Sequence, residues 1–203
     1  MKGSSFERDI SKRLSLWWTN GRNDAVFWRS SMSGGRATVR GRQGKETKYQ
    51  STDITYTDAI GEPLIDLVTI EVKRGYNKHT VADVLDRTRK SNQTMFEEWH
   101  QQVHEAWQNS GSFAWMLITR RDKRTEVVYF PTFLFARFSE LGIFDQIEGK
   151  SGQSVPRILI TGFFRHKING VFHSHKDQLV GITLEQFFKR VKRHHIEDLV
   201  KRV

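Results

Sequence analysis

The order of helical and strand patterns along the amino-acid sequence predicts an α/β fold in which helices flank a mixed central β-sheet. Helical periodicity opens the chain, short apolar and β-branched runs follow it, and a long amphipathic helix separates these runs from further strands. Helices that alternate with strands are typical of α/β domains. A basic segment then extends the chain, and the length of 203 residues suits one substantial domain rather than two independent ones.

Composition excludes several classes of protein. Hydrophobic residues make up 37% of the chain and aromatic residues 12%, which is too apolar for a disordered protein. The chain contains 0 cysteines, so a disulfide framework, a thiolate zinc site and a cysteine nucleophile are ruled out. The sequence has no apolar run of about 20 residues and no signal-peptide pattern at its charged start, so we expect a cytoplasmic protein without a membrane partner.

The first predicted helix runs from Ser5 to Trp18, because apolar residues recur at helical spacing along it. Ser4 can serve as its N-cap, with Glu7 completing a capping box. Ala25–Arg29 is a short apolar run that predicts a strand. The following segment, Ser30–Gln50, is rich in glycine, serine and basic residues and is interpreted mostly as a loop.

Two extended runs come next and are interpreted as a β-hairpin. Asp53–Thr57 and Leu64–Lys73 are rich in Ile, Thr and Val, and the turn residues DAIGEP separate them.

The rest of the chain alternates helices and strands. Gly111 is placed to end the long amphipathic helix, and Pro131 to end a strand. Helices are predicted over Val81–Arg89, Asn92–Asn109, Thr132–Leu141 and from Thr183 towards Val203, and strands over Phe113–Thr119, Glu126–Phe130 and Arg157–Phe164.

Charge is distributed unevenly along the chain. The 33 Lys and Arg against 23 Asp and Glu give a net charge of +10, which suggests a polyanionic partner. Residues 1–50 carry a net +7, residues 51–110 a net −4 and residues 111–203 a net +7. Carboxylates gathered to hold a cation, between flanks that hold phosphate, would give this arrangement. The alternative is a solvated acidic helix between basic ones.

The acidic segment holds a candidate metal site. Glu71 and Lys73 are two residues apart on a predicted strand, so their side chains share one face of the sheet. Asp53 opens the partner strand of the predicted hairpin and can come to lie beside Glu71. Two carboxylates and one backbone carbonyl, that of Val72, suit Mg²⁺, with Mn²⁺ as a substitute. The alternative is a same-face ion pair beside an ordinary turn aspartate.

Four segments resemble one family of enzymes. They are KGSSFERDISKRL (2–14), VFWRSSMSGG (26–35), TDI (52–54) and EVK (71–73). In this order they resemble the PD-(D/E)XK nuclease superfamily, and within it the archaeal-type Holliday junction resolvases. The resemblance implies a restriction-endonuclease-like core over residues 1–131. Residues 132–203 lie outside the resemblance and are expected to pack on this core as an extension that is not independent.

The resemblance also implies roles for individual residues. Asp53, Glu71 and Glu7 become the metal-site acids, and Lys73 the catalytic lysine. Ser30 belongs to a segment that approaches the scissile strand in such enzymes, and is included among the catalytic candidates.

Basic residues near these motifs are the candidate DNA contacts. The segment between Arg22 and Lys48 combines positive charge with glycine and small polar residues, as a cationic arm on a DNA backbone would. The alternative is a basic loop without such a role. The candidate DNA-binding residues are Arg29, Arg36, Arg40, Arg42, Lys45, Lys48 and Arg74.

Two of the assignments have rivals. The alternative for Glu7 is a role as the capping-box partner of Ser4 alone, without contact to a metal or water. Asp58 competes with Asp53 for the motif aspartate, but it falls in the predicted turn, and Asp66 is too close to Glu71 along the chain to face it across a hairpin.

The histidines invite a second metal hypothesis. His173, His175 and Asp177 could alternate on one strand face, but Asp177 falls in the polar stretch HKDQ, where we expect the strand to have ended. His194 and His195 are adjacent, so on a helix their side chains diverge by about 100°. These histidines are therefore interpreted as phosphate contacts or surface residues.

The sequence thus predicts a Mg²⁺-dependent endonuclease that hydrolyses phosphodiester bonds of DNA. By resemblance, its substrate would be a four-way junction or other branched DNA, and it would act as a homodimer. A phage is one expected source of such a chain. The alternatives are another PD-(D/E)XK nuclease, of a restriction, recombination or defence type, and a catalytically silent DNA-binding module.

Overall fold

The computed structural model describes residues 2–30, 52–86, 92–144 and 157–203, which form a five-stranded mixed sheet, a separate two-stranded sheet and flanking helices. The predicted α/β class with a mixed sheet is therefore confirmed. Among these residues, no helix combines the length and the apolar character needed to cross a membrane.

The first helix, α1, covers Lys2–Trp18 and packs one apolar face into the core. Phe6, Ile10 and Leu14 are at most 1% exposed, as the periodicity predicts. The helix begins before Ser4, whose carbonyl accepts a hydrogen bond from Arg8 Nε at 3.1 Å. The prediction that Ser4 is the N-cap and that Glu7 completes a capping box is therefore wrong.

The predicted hairpin between Asp53–Thr57 and Leu64–Lys73 is also wrong. Strand β2 (Ile54–Tyr56) pairs antiparallel with β1 (Phe27–Arg29), and these two form the small sheet. The next strand, β3 (Val68–Arg74), belongs to the large sheet.

A 3₁₀ turn at Ala59–Gly61 and helix α2 (Glu62–Leu67) occupy the region where the second strand of the hairpin was predicted to begin. Pro63 lies in the first turn of α2, where its missing N–H costs nothing. Leu64, Ile65 and Leu67 are all buried, so this short helix directs its apolar side chains into the core. The apolar run was compatible with either structure, and this burial favours the helix.

Strand β3 pairs in parallel with β4 (Ala114–Arg120), and a long crossover joins them. The crossover contains the short helix α3 (Asp83–Asp86) and helix α4 (Met95–Ser110). A capping box of Thr94 and Glu97 starts α4, and Gly111, with φ 78°, ends it as predicted. Parallel strands require such a crossover, and α4 covers the sheet.

The second half of the chain completes the large sheet, whose strand order is β3-β4-β5-β7-β6. Instead of one long C-terminal helix, the chain forms two helices with a break at Val191 and Lys192. The elements are β5 (Val127–Pro131), α5 (Thr132–Glu140), β6 (Ile158–Ile168), β7 (Val171–Thr183), α6 (Leu184–Arg190) and α7 (Arg193–Val200).

Strand β7 runs without interruption through His173, His175 and Asp177. The expectation that the strand had ended before Asp177 is therefore wrong. Polar residues are exposed on much of this strand, so the sequence lacks the apolar alternation by which a strand is recognised.

The sheet separates two cores and sorts the side chains of β3 between them. Val68, Ile70 and Val72 join the core that contains the buried face of α1. Successive side chains of a strand point to opposite faces, so Glu71 and Lys73 point to the side covered by α4. On that side, Thr69 Oγ1 donates to Ser110 Oγ of α4 at 2.6 Å.

Gly181→Ala tests the close pairing of β5 and β7. A Cβ atom at Gly181 would lie 2.7 Å from Cε1 of Tyr129, which is its cross-strand partner. We expect the substitution to lower the free energy of unfolding by about 1–3 kcal/mol, because overpacking forces neighbours to move. Chemical denaturation measures the change.

Gly162→Ala is the matched control for Gly181→Ala, because it lies on β6 with nothing within 4 Å of an added Cβ. It should alter the free energy of unfolding by less than about 0.5 kcal/mol. Equal losses in both variants would contradict the proposed cause.

Candidate active site

The candidate site lies at the end of β3, where the parallel strands β3 and β4 finish at the same edge of the sheet. Glu71 and Lys73 are near the carboxyl end of β3, and Lys73 Nζ donates to Glu71 Oε1 at 2.5 Å. Asp122 follows β4 and faces the segment after β3. In α/β sheets, this edge is the usual position of a binding crevice.

Asp53 reaches the site through two hydrogen bonds to β3 instead of through a hairpin. Its backbone N–H donates to the Ile70 carbonyl at 3.2 Å, and its Oδ2 accepts from the Val72 N–H at 2.9 Å. The Ser30 N–H donates to the Asp53 carbonyl at 2.8 Å. Together these bonds place the Asp53 carboxylate beside Glu71, as the sequence predicted, by a different route.

Glu7 approaches the same cleft from α1. Its Oε2 lies 3.3 Å from Arg29 Nε, and the Glu7 side chain is 15% exposed. Ser15 Oγ on the same helix accepts from the Phe27 N–H at 2.8 Å and so attaches α1 to β1. The helix and the small sheet thereby hold Glu7 and Arg29 next to Asp53.

These side chains surround an open cleft of about 490 Å³. It is lined by Glu7, Asp53, Val72, Lys73, Arg74, Gly75, Tyr76, Asn77 and Asp122. The predicted rivals of Asp53 do not line it. Asp58 instead caps the 3₁₀ turn through a bond from the Ile60 N–H at 3.1 Å, and Asp66 lies in α2.

Carboxylates are crowded in this cleft. Burial, and then the neighbouring Asp53 carboxylate, raise the pKa of Glu71 to about 8. Burial and Asp53 raise the pKa of Glu7 in the same way. Burial alone would lower the pKa of Lys73, but the Glu71 and Asp53 carboxylates outweigh it and raise the pKa. Glu71 and Glu7 therefore both lie where burial and the Asp53 carboxylate disfavour their charged forms, and a cation beside them would relieve this.

The donor types here, carboxylate and carbonyl oxygens, are those that a hard divalent cation prefers. The Asp53 carboxylate interacts electrostatically with Glu71 on one side and with Glu7 on the other, and Val72, which lines the cleft, brings a backbone carbonyl. Oδ2 of Asp53 is held by the Val72 N–H, so the orientation of the carboxylate is fixed. Glu7 Oε2 is buried without a hydrogen bond. Mg²⁺ and Mn²⁺ prefer oxygen ligands of this kind.

Of the predicted DNA contacts, Arg29 and Arg74 lie in the described residues, and both are beside the cleft. Arg74 lines it, and its Nε lies 3.6 Å from Asp122 Oδ1. Ser30 adjoins Asp53 but is only 3% exposed, so a direct contact of its side chain with DNA stays a prediction. Outside the described residues lie Arg36, Arg40, Arg42, Lys45 and Lys48.

Sequence reasoning missed one part of the cleft wall. Asn77 Nδ2 donates to Asp122 Oδ2 at 3.1 Å, and the Asp122 N–H donates to Asn77 Oδ1 at 2.6 Å. This reciprocal pair joins the segments that follow β3 and β4. Gly75 and Tyr76 both have positive φ, which turns the chain sharply after β3. Finding these residues would have required knowing that β3 and β4 are parallel neighbours.

Glu71→Gln tests the crowding of carboxylates. The folded pKa of about 8 lies above the ordinary value of 4.5, so Glu71 lowers the stability of the metal-free protein progressively as the pH rises from about 4.5 to 8, and no further above 8. In EDTA, the free energy of unfolding of the variant minus that of wild type should increase by at most about 1.4 kcal/mol per pH unit between pH 5 and 8.

The measurement for Glu71→Gln is urea denaturation at several pH values, because other titrating groups cancel in the difference from wild type. Glu140→Gln, on the exposed Arg137–Glu140 pair of α5, is the control and should show no such trend. A difference between Glu71→Gln and wild type that is independent of pH would contradict the crowding.

Comparison with known proteins identifies the family. Residues 1–198 match the family described as "Phage putative PDDEXK endonuclease". No curated protein and no solved structure matches the chain. The family match covers nearly the whole chain, including the segments that carry Glu7, Asp53, Glu71 and Lys73. The chain therefore belongs to this phage family of PD-(D/E)XK endonucleases, a membership that indicates a nuclease acting on DNA.

Proposed function

We propose that this protein is a Mg²⁺-dependent DNA endonuclease that hydrolyses phosphodiester bonds, with Mn²⁺ able to replace Mg²⁺. The observation that carries the proposal is one open cleft lined by Glu7, Asp53 and Lys73, with Glu71 beside Asp53 and Lys73, in a chain of an endonuclease family. The net charge of +10 supplies attraction to a polyanion.

In this proposal, Asp53, Glu71 and the Val72 carbonyl hold the metal, with Glu7 beside them. When bound, Mg²⁺ supplies an activated water and neutralises a phosphate oxygen. The Val72 N–H holds one oxygen of Asp53 in place and so orients the carboxylate before substrate arrives.

Lys73 and two arginines supply the fixed positive charge. Lys73 is a cation beside Glu71, so it donates hydrogen bonds to the nucleophile or to the phosphate and stabilises the negative charge that develops. Arg29 and Arg74 flank the cleft and can hold the phosphates of the bound strand.

The finer proposal is a structure-selective resolvase that cuts four-way junctions as a homodimer. It is supported by the similarity of residues 2–14 to the opening of the archaeal-type resolvases and by the position of Glu7, from that segment, in the cleft. Residues 1–131 would form the nuclease core and residues 132–203 the extension. The enzyme would act in the cytoplasm, where its DNA substrate would be.

Asp53→Asn and Lys73→Ala test the proposed chemistry. Each should lower the cleavage rate by about 100-fold or more, because a metal ligand or a fixed charge at the reacting phosphate is lost. The assay measures cutting of a four-way junction, a linear duplex and a single strand with Mg²⁺, with Mn²⁺ and with EDTA.

Lys12→Ala is the matched control for Lys73→Ala, because Lys12 pairs with Asp24 at the surface of α1. It should cut like wild type. No metal-dependent cutting of any substrate by the wild-type protein would exclude the enzyme and leave a silent DNA-binding module.

Substrate preference tests the resolvase proposal separately. Wild type should cut a four-way junction at least about 10-fold faster than a linear duplex of the same sequence, and sedimentation should show a dimer. The expected difference corresponds to about 1.4 kcal/mol of transition-state stabilisation. Equal cutting of both substrates would reject the resolvase while leaving the endonuclease intact.

A further inference from the structure

A second polar cluster lies between α4 and the β6–β7 hairpin, on the face of the sheet covered by α4. Nε2 of His100 lies 3.0 Å from Oδ2 of Asp177, and Nε2 of His104 lies 2.8 Å from the same oxygen. Two imidazoles from one helix therefore direct ligand atoms at one carboxylate of β7. His166 and His175 border the group, with ring centroids 5.1 Å from His100 and 4.5 Å from His104.

This cluster is enclosed and short of positive charge. The side chains of His100, His104 and Asp177 are 0%, 7% and 16% exposed. Within residues 2–30, 52–86, 92–144 and 157–203, the Asp177 carboxylate lies within hydrogen-bonding distance of these two imidazoles and accepts from the Gln178 N–H at 2.7 Å, and it pairs with no Lys or Arg. An enclosed carboxylate is costly unless a partner compensates its charge, and a metal cation is one such partner.

We propose that His100, His104 and Asp177 bind Zn²⁺, with His175 as the fourth ligand. The ligand atoms of His100, His104 and Asp177 all lie within 4.8 Å of one another. Zinc bonds of about 2.0–2.1 Å in a tetrahedron place the donors about 3.4 Å apart. The observed separations of 3.0 and 2.8 Å are therefore close to those of a zinc site, and small side-chain rotations would make up the difference.

The spacing of the two helical ligands supports this site. His100 and His104 are separated by one turn of α4, in the sequence HQQVH, so they share a face of the helix. The same spacing carries two zinc ligands in helical zinc enzymes, where a glutamate follows the first histidine as general base.

Here Gln101 takes the position of that glutamate. Its amide is engaged by the backbone of Lys167, with an N–H···O bond in each direction, at 2.7 and 2.9 Å. The chain thus lacks the base that hydrolysis would need at this position, and we assign the zinc a structural role.

His166 completes the environment of the site. Its Nε2 lies 2.9 Å from Nδ1 of His100. When Nε2 of His100 binds metal, Nδ1 keeps its proton and donates a hydrogen bond to Nε2 of His166. Zinc-bound histidines are regularly oriented by an acceptor at the other ring nitrogen.

The position of the cluster shows what a metal would stabilise. Strand β5 pairs with residues 179–183 of β7. In the part of the chain that the structure describes, residues 171–178 pair only with residues 161–168, and the two segments form a two-stranded arm. Isolated two-stranded hairpins are marginal in water. Side chains of α4 already hold the arm, since Glu97 Oε1 accepts from the Arg165 N–H at 2.9 Å. Zinc would fasten the second strand of the arm to the same helix.

The experiment measures zinc in the full-length protein, purified without a histidine tag, by mass spectrometry. We expect about one Zn²⁺ per chain in wild type and in Asp53→Asn, and background zinc in His104→Gln and Asp177→Asn. His173→Gln is the matched control, because His173 is on the same strand but exposed, and it should retain zinc. Circular dichroism verifies that each variant is folded.

A second measurement does not depend on the variants. Wild type stripped of metal is titrated with Co²⁺, which should give the visible absorption of a tetrahedral site and should be displaced by Zn²⁺. Wild type without zinc and without this absorption would overturn the proposal. Loss of zinc from Asp53→Asn together with its retention by His104→Gln would also overturn the proposal, since the ion would then belong to the carboxylate cleft.

Discussion

The candidate active site depends on the two hydrogen bonds that join Asp53 to β3. One uses the backbone of Asp53 and the carbonyl of Ile70, and the other uses the Asp53 carboxylate and the Val72 N–H. In the part of the chain that the structure describes, no strand pairing joins β2 to β3, so these bonds fix the small sheet against the large one. Because β1 pairs with β2 and α1 is attached to β1, Arg29 and Glu7 are positioned through the same connection.

The site is electrostatically unfavourable in the absence of a cation, and this suits a metal-dependent function. Burial and Asp53 raise the pKa of both Glu71 and Glu7, whereas Lys73 compensates only part of the negative charge. Functional sites often retain groups that destabilise the folded chain, because binding of a cofactor or substrate relieves the cost. The net positive charge of the rest of the protein does not remove this local excess of carboxylate, because it is carried largely by other segments.

The sequence predicted the elements whose pattern is unambiguous. The α1 periodicity, the same-face relation of Glu71 and Lys73 and the end of α4 at Gly111 are local properties of the chain. The segment before β3 was mistaken for a strand because its short apolar run fits either period. The cluster around Asp177 was missed because its members come from α4, β6 and β7, and its strand is too polar to be recognised. Only tertiary packing brings such residues together.

The outer position of β3 has a consequence for solubility. It is an edge strand of the large sheet, and an apolar edge strand with unpaired backbone groups is a template for aggregation. Asp53 engages the Ile70 carbonyl and the Val72 N–H on this edge. Thus the residue that we propose as a metal ligand also blocks the addition of a foreign strand. A substitution that removed its side-chain acceptor would expose the chain to self-association, whereas asparagine, which keeps an acceptor oxygen, would preserve this protection.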